Sequence, residues 1–239
     1  MRDVGRVPWC AEKVLKSNGI SSVLDIGCGD GGLLSKLDGR VQRVVGIDMD
    51  DSLLEQARRV APGAELVHQS AEQLPFDEGQ FDAVVLSDVL EHVGQELQQG
   101  VISEARRVLK PGGLLILTVP HTGWTAFLDP MDVKRRLPRP YRWYMRRSGY
   151  EPSTATDIGH AHLSRRDLVR LLDGYFVVDA WRFCGFLEPL ILWVQLLASR
   201  LLKVSWSIVY RIIRLRAREG AVPYPERMAY NVWLIASAV

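Results

Sequence analysis

The stretch that most constrains this chain is VLDIGCGDGG, residues 23–32. It opens as a short apolar strand and closes on glycines at 27, 29 and 31. Gly27 and Gly29 allow the backbone to turn tightly and to approach a ligand closely, and the turn feeds the N-terminus of a helix. A strand that ends in such a turn belongs to an α/β sheet that binds a ligand at its carboxyl edge. Gly27, Gly29 and Gly32 also satisfy GxGxxG, so the turn by itself leaves open which nucleotide-like ligand is held.

The rest of the first half repeats the strand–helix alternation. VLDIG, VVGID, ELVHQ, FDAVVLS and LLILTVP are short and rich in Val, Ile and Leu, as strands of a buried parallel sheet are. The stretches 31–37, 52–60, 71–74 and 97–109 between them read as helices or helical turns. Ser52 is the expected cap of the second, and Lys110-Pro111-Gly112-Gly113 ends the last. SRRDLVRLLDG predicts a helix opened by Ser164 and stopped near Gly174, followed by strands YFVVDAWRFCG and YNVWLIASAV. The predicted fold is a single doubly wound α/β domain over 1–239. It has about seven mostly parallel strands, an antiparallel last strand at about 228–239 and a helical insertion before it at about 187–222. The ligand-binding core spans about 20–120 and a basic loop about 121–160.

Two carboxylates narrow the ligand. Asp25 stands just before the first glycine, beside whatever the turn holds. An acid there suits a ligand with a cationic amino acid end and is unhelpful beside a pyrophosphate. Asp48 ends the next strand, where a carboxylate can accept two ribose hydroxyls. AEQLPF, FDAVVLSDVLEHV and VLKPGGLLILTVP follow in order.

With these motifs in sequence, residues 23–120 resemble the class I, Rossmann-like, S-adenosylmethionine-dependent methyltransferase family, in its small-molecule and lipid branch. VLDIGCGDG resembles its first motif, GIDMD the second and SAEQLPF the segment flanking adenine. FDAVVLSDVLEHV resembles its fourth strand and loop, and LKPGG with LLILTVP its fifth strand. The resemblance implies S-adenosyl-L-methionine as cofactor, held by Asp25, Gly27, Cys28, Gly29, Asp48 and Met49. Ser70 departs from the aspartate many members carry there; its hydroxyl and the backbone of Ala71 and Glu72 are left to meet the adenine.

Ser87 and Asp88 end the fourth strand on the ligand-binding edge, facing the methionine part of the cofactor. His92 follows one turn later, as a base or substrate contact or as a structural histidine. His121, directly after the fifth strand, is the leading acid/base candidate, because an imidazole accepts a proton near neutral pH. His160 and His162 form a second polar cluster by the mouth. Their spacing suits a metal in a strand, but with no third ligand in sight no metal is expected.

Two regions speak to the acceptor. Residues 131–147 hold seven cations, among them Arg135, Arg139 and Arg142, with Tyr141, Trp143 and Tyr144 interleaved. Arginine forks suit phosphates and amphipathic aromatics suit a headgroup layer; RNA also fits. In the insertion, Arg200, Lys203, Arg211, Arg214 and Arg218 fall on one arc at about 100° per residue, against a broad apolar surface. That pattern suits either a helix lying on an anionic membrane, through about 187–218, or a cap on the domain itself. Its longest uncharged run is too short to span a bilayer.

A net charge of only +2 argues against a chain built mainly to grip nucleic acid. Three scattered cysteines form no disulfide framework, and MRDVGRVPWC lacks the apolar core of a signal peptide. The expectation is a cytoplasmic protein, peripheral at a membrane if the insertion binds one. It methylates a small molecule: a lipid, a quinone-like compound or a lipid-linked sugar. The rival readings are an RNA methyltransferase, a catalytically silent membrane-associated scaffold and an NAD-dependent oxidoreductase.

Overall fold

The computed structural model describes residues 5–124, 126, 161–187, 190–191, 194, 212, 215 and 222–239. The basic loop at 131–147, His160 and most of the helical insertion lie outside the described residues. Within the insertion, Leu190, Ile191, Val194, Ile212 and Leu215 are helical.

The chain begins with helix α1 (Arg6–Lys16) and strand β1 (Ser22–Ile26). Next come α2 (Leu34–Leu37), β2 (Arg43–Asp48), α3 (Asp51–Val60), β3 (Glu65–His68) and β4 (Phe81–Ser87). A single turn of 3-10 helix, Leu90–His92, leads to α4 (Gln98–Val108) and β5 (Leu109–Pro120). The described second half contributes α5 (Arg165–Leu172), β6 (Phe176–Cys184) and β7 (Asn231–Ala238). The seven strands form one sheet in the order β3-β2-β1-β4-β5-β7-β6. The first five run parallel, and β7 runs antiparallel to both neighbours. The expected architecture therefore holds, antiparallel last strand included.

Successive side chains alternate between the two faces of the sheet, so each strand feeds two cores. On one face, Val23, Val44, Ala83, Val85 and Ile116 pack against α1, α2 and α3 through Cys10, Val14, Leu34, Leu37, Leu54 and Ala57. On the other, Leu24, Ile26, Val84, Leu86, Leu115 and Leu117 pack against α4 and α5 through Ile102, Ala105, Leu168 and Leu172. All five residues of β1 are buried, which is why the strand is apolar on both faces apart from Ser22 and Asp25.

Two local expectations change. Asp50, not Ser52, caps α3: its carboxylate accepts from the N–H groups of Ser52 and Leu53, and a charged acceptor outcompetes a hydroxyl at that position. Lys110–Gly113 belongs to the start of β5, where pairing jumps from Phe81↔Leu109 to Ala83↔Leu114, and the proline and glycines form an irregularity that pairing on either side tolerates. Residues 71–73 form a turn, within the expected choice of helix or helical turn. By contrast, α5 is capped as expected: the Ser164 side chain accepts from the Asp167 N–H, and the Asp167 carboxylate accepts from the Ser164 N–H.

The strand order fixes where a ligand goes. From β1 the chain winds outward to β2 and β3, then returns to the other side of β1 at β4. Connections leaving β1 and β4 diverge, which opens a crevice at their carboxyl ends.

Candidate active site

The glycine turn forms one wall of the crevice. The N–H groups of Gly27 and Cys28 both donate to the carbonyl of Ile47 at 2.9 Å, tying the turn to β2. Gly27 has φ +70°, and a Cβ there would lie 2.6 Å from Cγ2 of Val89, so only glycine fits. Gly29 has φ +54° with nothing within 4 Å of its Cβ position, so its ligand-side face is open. Cys28 is small because its Sγ packs over Gly46. Burial and nearby acids raise its thiol well above the ordinary range, so it carries no thiolate chemistry.

Two carboxylates border this turn. The Asp48 Oδ2 accepts from the Gly29 N–H at 2.8 Å and Oδ1 from the Asp50 N–H at 3.0 Å. Each oxygen is thus fixed by one donor and keeps capacity for a second. Asp25 is only 3% exposed. Burial, then the charge of Asp48, pushes its carboxyl up to about 8, against the opposing pull of Arg6. An acid held this way gains most from a cationic partner.

The opposite wall is the end of β4. Asp88 has φ +56°, unlike every other described non-glycine residue, and such strain marks sites where position matters more than comfort. Its N–H donates to the Thr118 carbonyl at 2.9 Å, and the Thr118 hydroxyl donates to Oδ1 at 2.9 Å. Because that hydroxyl has a single proton, Ser87 is the donor in its 3.2 Å bond to Thr118 Oγ1. Arg6 Nη1 completes the arrangement with an ion pair to Asp88 Oδ2.

The end of β2 and β3 is more open. Met49 is 69% exposed, and its carbonyl pairs with His68 Nε2 at 2.8 Å. β3 lies beside β2 with Asp48 opposite His68, so the turn holding Ser70, Ala71 and Glu72 sits along the same edge. The Ser70 hydroxyl accepts from the Glu72 N–H at 3.3 Å and keeps its own proton to donate.

The histidines fall in different places. His121 is 3% exposed, with Nδ1 3.0 Å from the Leu163 carbonyl. Its ring lies 5.2 Å from that of Phe183. Burial lowers its pKa against the raising effects of the Leu163 carbonyl and Glu226, so the ring is neutral near pH 7. His162 neighbours it electrostatically and sits 5.7 Å from the Tyr230 ring. His92 lies nearer the crevice; partial burial and the Arg6 charge lower its pKa. No group of three potential metal ligands occurs among the described residues.

The structure thus gathers Asp25, Gly27, Cys28, Gly29, Asp48, Ser87 and Asp88 around one crevice, with Met49 and Ser70–Glu72 beside it. Arg135, Arg139, Arg142 and His160 lie outside the described residues. Two site residues escaped the sequence reading: Thr118, a polar residue inside an apolar strand, and Arg6, which carries no local signal. The arrangement leaves acceptor capacity on both oxygens of Asp48, a buried acid at Asp25 and open space over Gly29.

Comparison with known proteins agrees. The family profile described as a methyltransferase domain matches residues 24–117. An uncharacterized methyltransferase of Synechocystis is 40% identical over 167 residues, covering 68% of this chain and 70% of that protein. A demethylmenaquinone methyltransferase of Staphylococcus aureus is 35% identical over 114 residues, covering 44% of this chain and 46% of that protein. Geranyl diphosphate C-methyltransferase from Streptomyces coelicolor, solved with S-adenosyl-L-homocysteine, shares the fold: its TM-score is 0.58 at 19% identity, over 97% of this chain and 79% of that one. The chain spans only 36% to 46% of the length of several curated relatives it matches. The chain belongs to the S-adenosylmethionine-dependent methyltransferase family, with that family's class I fold and cofactor. The nicotinamide-dependent reading falls with this assignment.

Proposed function

We propose that this chain transfers the methyl group of S-adenosylmethionine to a hydrophobic or phosphate-bearing small molecule. The observation that carries the cofactor half is the pair of acids at adjacent strand ends: buried Asp25 beside the glycine turn, and Asp48 with both oxygens anchored. When bound, the cofactor supplies an electrophilic methyl on a sulfonium. The chain's own work is alignment. Asp48 accepts the ribose hydroxyls, Asp25 takes the ammonium, and Gly29 lets the backbone lie close to the ligand. Asp88, locked by Thr118 and Arg6, borders the reacting end, so the acceptor meets a fixed edge. His92 and His121 are the proposed proton acceptors for an acceptor that must lose a proton.

The acceptor class is supported by the seven cations and three aromatics of residues 131–147, which suit a phosphate beside an apolar body. Arg135, Arg139, Arg142, His160 and His162 are the proposed acceptor contacts. The acceptors named for the Staphylococcus and Streptomyces proteins are a hydrophobic demethylmenaquinone and the phosphate-bearing geranyl diphosphate. A second reading, contact with an anionic membrane surface through about 187–218, is favoured by the basic stripe on that segment's apolar surface. Among described residues no helix is long and apolar enough to cross a membrane.

Calorimetry with S-adenosylmethionine tests the first half: wild type should bind, and Asp48→Asn should weaken binding about 10-fold or more through loss of charge-assisted bonds. Methyl transfer from labelled cofactor to quinone-like and prenyl-phosphate acceptors, with tRNA and rRNA as controls, tests the second. Transfer to RNA alone would move the assignment to nucleic acid, and tight cofactor binding with no transfer would favour a silent scaffold. Flotation with anionic and neutral vesicles, with and without residues 187–218, decides the membrane reading.

A further inference from the structure

Helix α1 brings a cation into the crevice from outside the cofactor motifs. The helix is docked by Cys10, Ala11 and Val14, all buried in the core it shares with β1, β2, β4 and β5. The Trp9 ring lies 5.1 Å from that of Trp233 on β7. This docking carries Arg6, the first residue of α1, to the ends of β4 and β1. There its Nη1 pairs with Asp88. Its charge is also felt by Asp25 and by His92.

Two features of Arg6 call for a ligand. Its Nε is buried and has no hydrogen-bond partner, although a buried donor left unmade costs about 1–3 kcal/mol. It is also a cation in a crevice whose cofactor arrives with a net positive charge: a sulfonium and an ammonium against one carboxylate. Even paired with Asp88, its charge opposes the ligand's two cationic groups. Both difficulties vanish if the guanidinium meets the ligand's only anion.

Resting on the cofactor assignment above, we propose that Arg6 grips the carboxylate of the cofactor's methionine end, while Asp25 holds the ammonium. The two residues then form a zwitterion clamp across the crevice, one jaw on β1 and the other on α1. A guanidinium has five N–H donors in a planar fork, so it can hold Asp88 through one edge and a carboxylate through another. The Asp88 pair orients the fork before the ligand arrives. Because the carboxylate persists in the product, the clamp strengthens binding of S-adenosylhomocysteine as well as of the cofactor.

The test compares ligands that differ only in that carboxylate. Calorimetry would measure S-adenosylmethionine, S-adenosylhomocysteine and decarboxylated S-adenosylmethionine against wild type, Arg6→Met and Arg6→Lys. Loss of a charge-assisted pair predicts that Arg6→Met weakens the first two about 10- to 100-fold and leaves the decarboxylated ligand within about twofold. Arg6→Lys should fall between, because an ammonium keeps the charge and loses the fork. The ratio of the two affinities within one variant is independent of any loss of folded protein. An equal loss for decarboxylated and intact cofactor would reduce Arg6 to a helix anchor and overturn the proposal, as would unchanged affinity for both. If wild type binds none of the three ligands, the cofactor assignment itself fails, and the clamp with it.

Discussion

Asp25→Asn separates the cost of the site from its use. The ordinary aspartate value of 3.8 is raised to about 8 in the folded chain, through burial first and the Asp48 charge second. Between those values the folded protein holds a proton that the unfolded chain has released. Stability therefore falls as pH rises through this window, the reverse of the usual salt-bridged carboxylate. At about 1.36 kcal/mol per pH unit the full span is on the order of 5 kcal/mol, and the part between pH 5 and pH 8 about 4 kcal/mol. Asparagine has the shape of the protonated acid and no charge to lose. Urea unfolding of both proteins at pH 5 and pH 8, without ligand, should show Asp25→Asn gaining on wild type by up to about 4 kcal/mol as pH rises. Other titrating groups act alike in both proteins and cancel in that difference. The same substitution should weaken S-adenosylmethionine binding, because the ammonium loses its counter-charge. A stability difference that stays flat between pH 5 and pH 8 would refute the account of Asp25 as a buried acid kept at the fold's expense.

Further outcomes follow from single contacts. Gly27→Ala places a Cβ 2.6 Å from Val89 Cγ2 in a left-handed backbone, so thermal unfolding should occur earlier and cofactor binding should be lost. Gly29→Ala, with open space, should cost only the conformational strain, about 1–2 kcal/mol. Ser164→Ala removes half of the capping box at α5 and should cost about 1 kcal/mol in urea unfolding with cofactor affinity unchanged. Because burial lowers the His121 pKa, wild type should lose stability as pH falls below about 6.5. His121→Asn should flatten that dependence, and a parallel loss in both proteins would show that the ring titrates freely.

The fold and the cofactor side of the site were legible because both rest on local requirements. β1 must be apolar on both faces to sit inside a parallel sheet, and VLDIG shows it. The turn after it must accept positive φ and close approach, and glycines at 27 and 29 show that. Asp25 and Asp48 were readable because each is fixed by its distance from a strand end. The cap of α5 was readable as Ser164 three residues before Asp167; the cap of α3 went to Asp50 because a nearby acid outcompeted the serine.

What no local pattern carried is the meeting of distant groups. Thr118 reaches Asp88 across 30 residues of chain, and the His121 ring faces a carbonyl 42 residues away. Arg6 enters the crevice only because α1 docks across β4 and β5. Sequence by itself determined the strands, the turn and the two acids, since backbone conformation and burial period are set by neighbouring residues. Tertiary structure alone decided which cation faces those acids, that Asp88 is held in a left-handed backbone, and that His121 is buried against a carbonyl, since charge pairing and desolvation depend on distances that exist only after the sheet has closed.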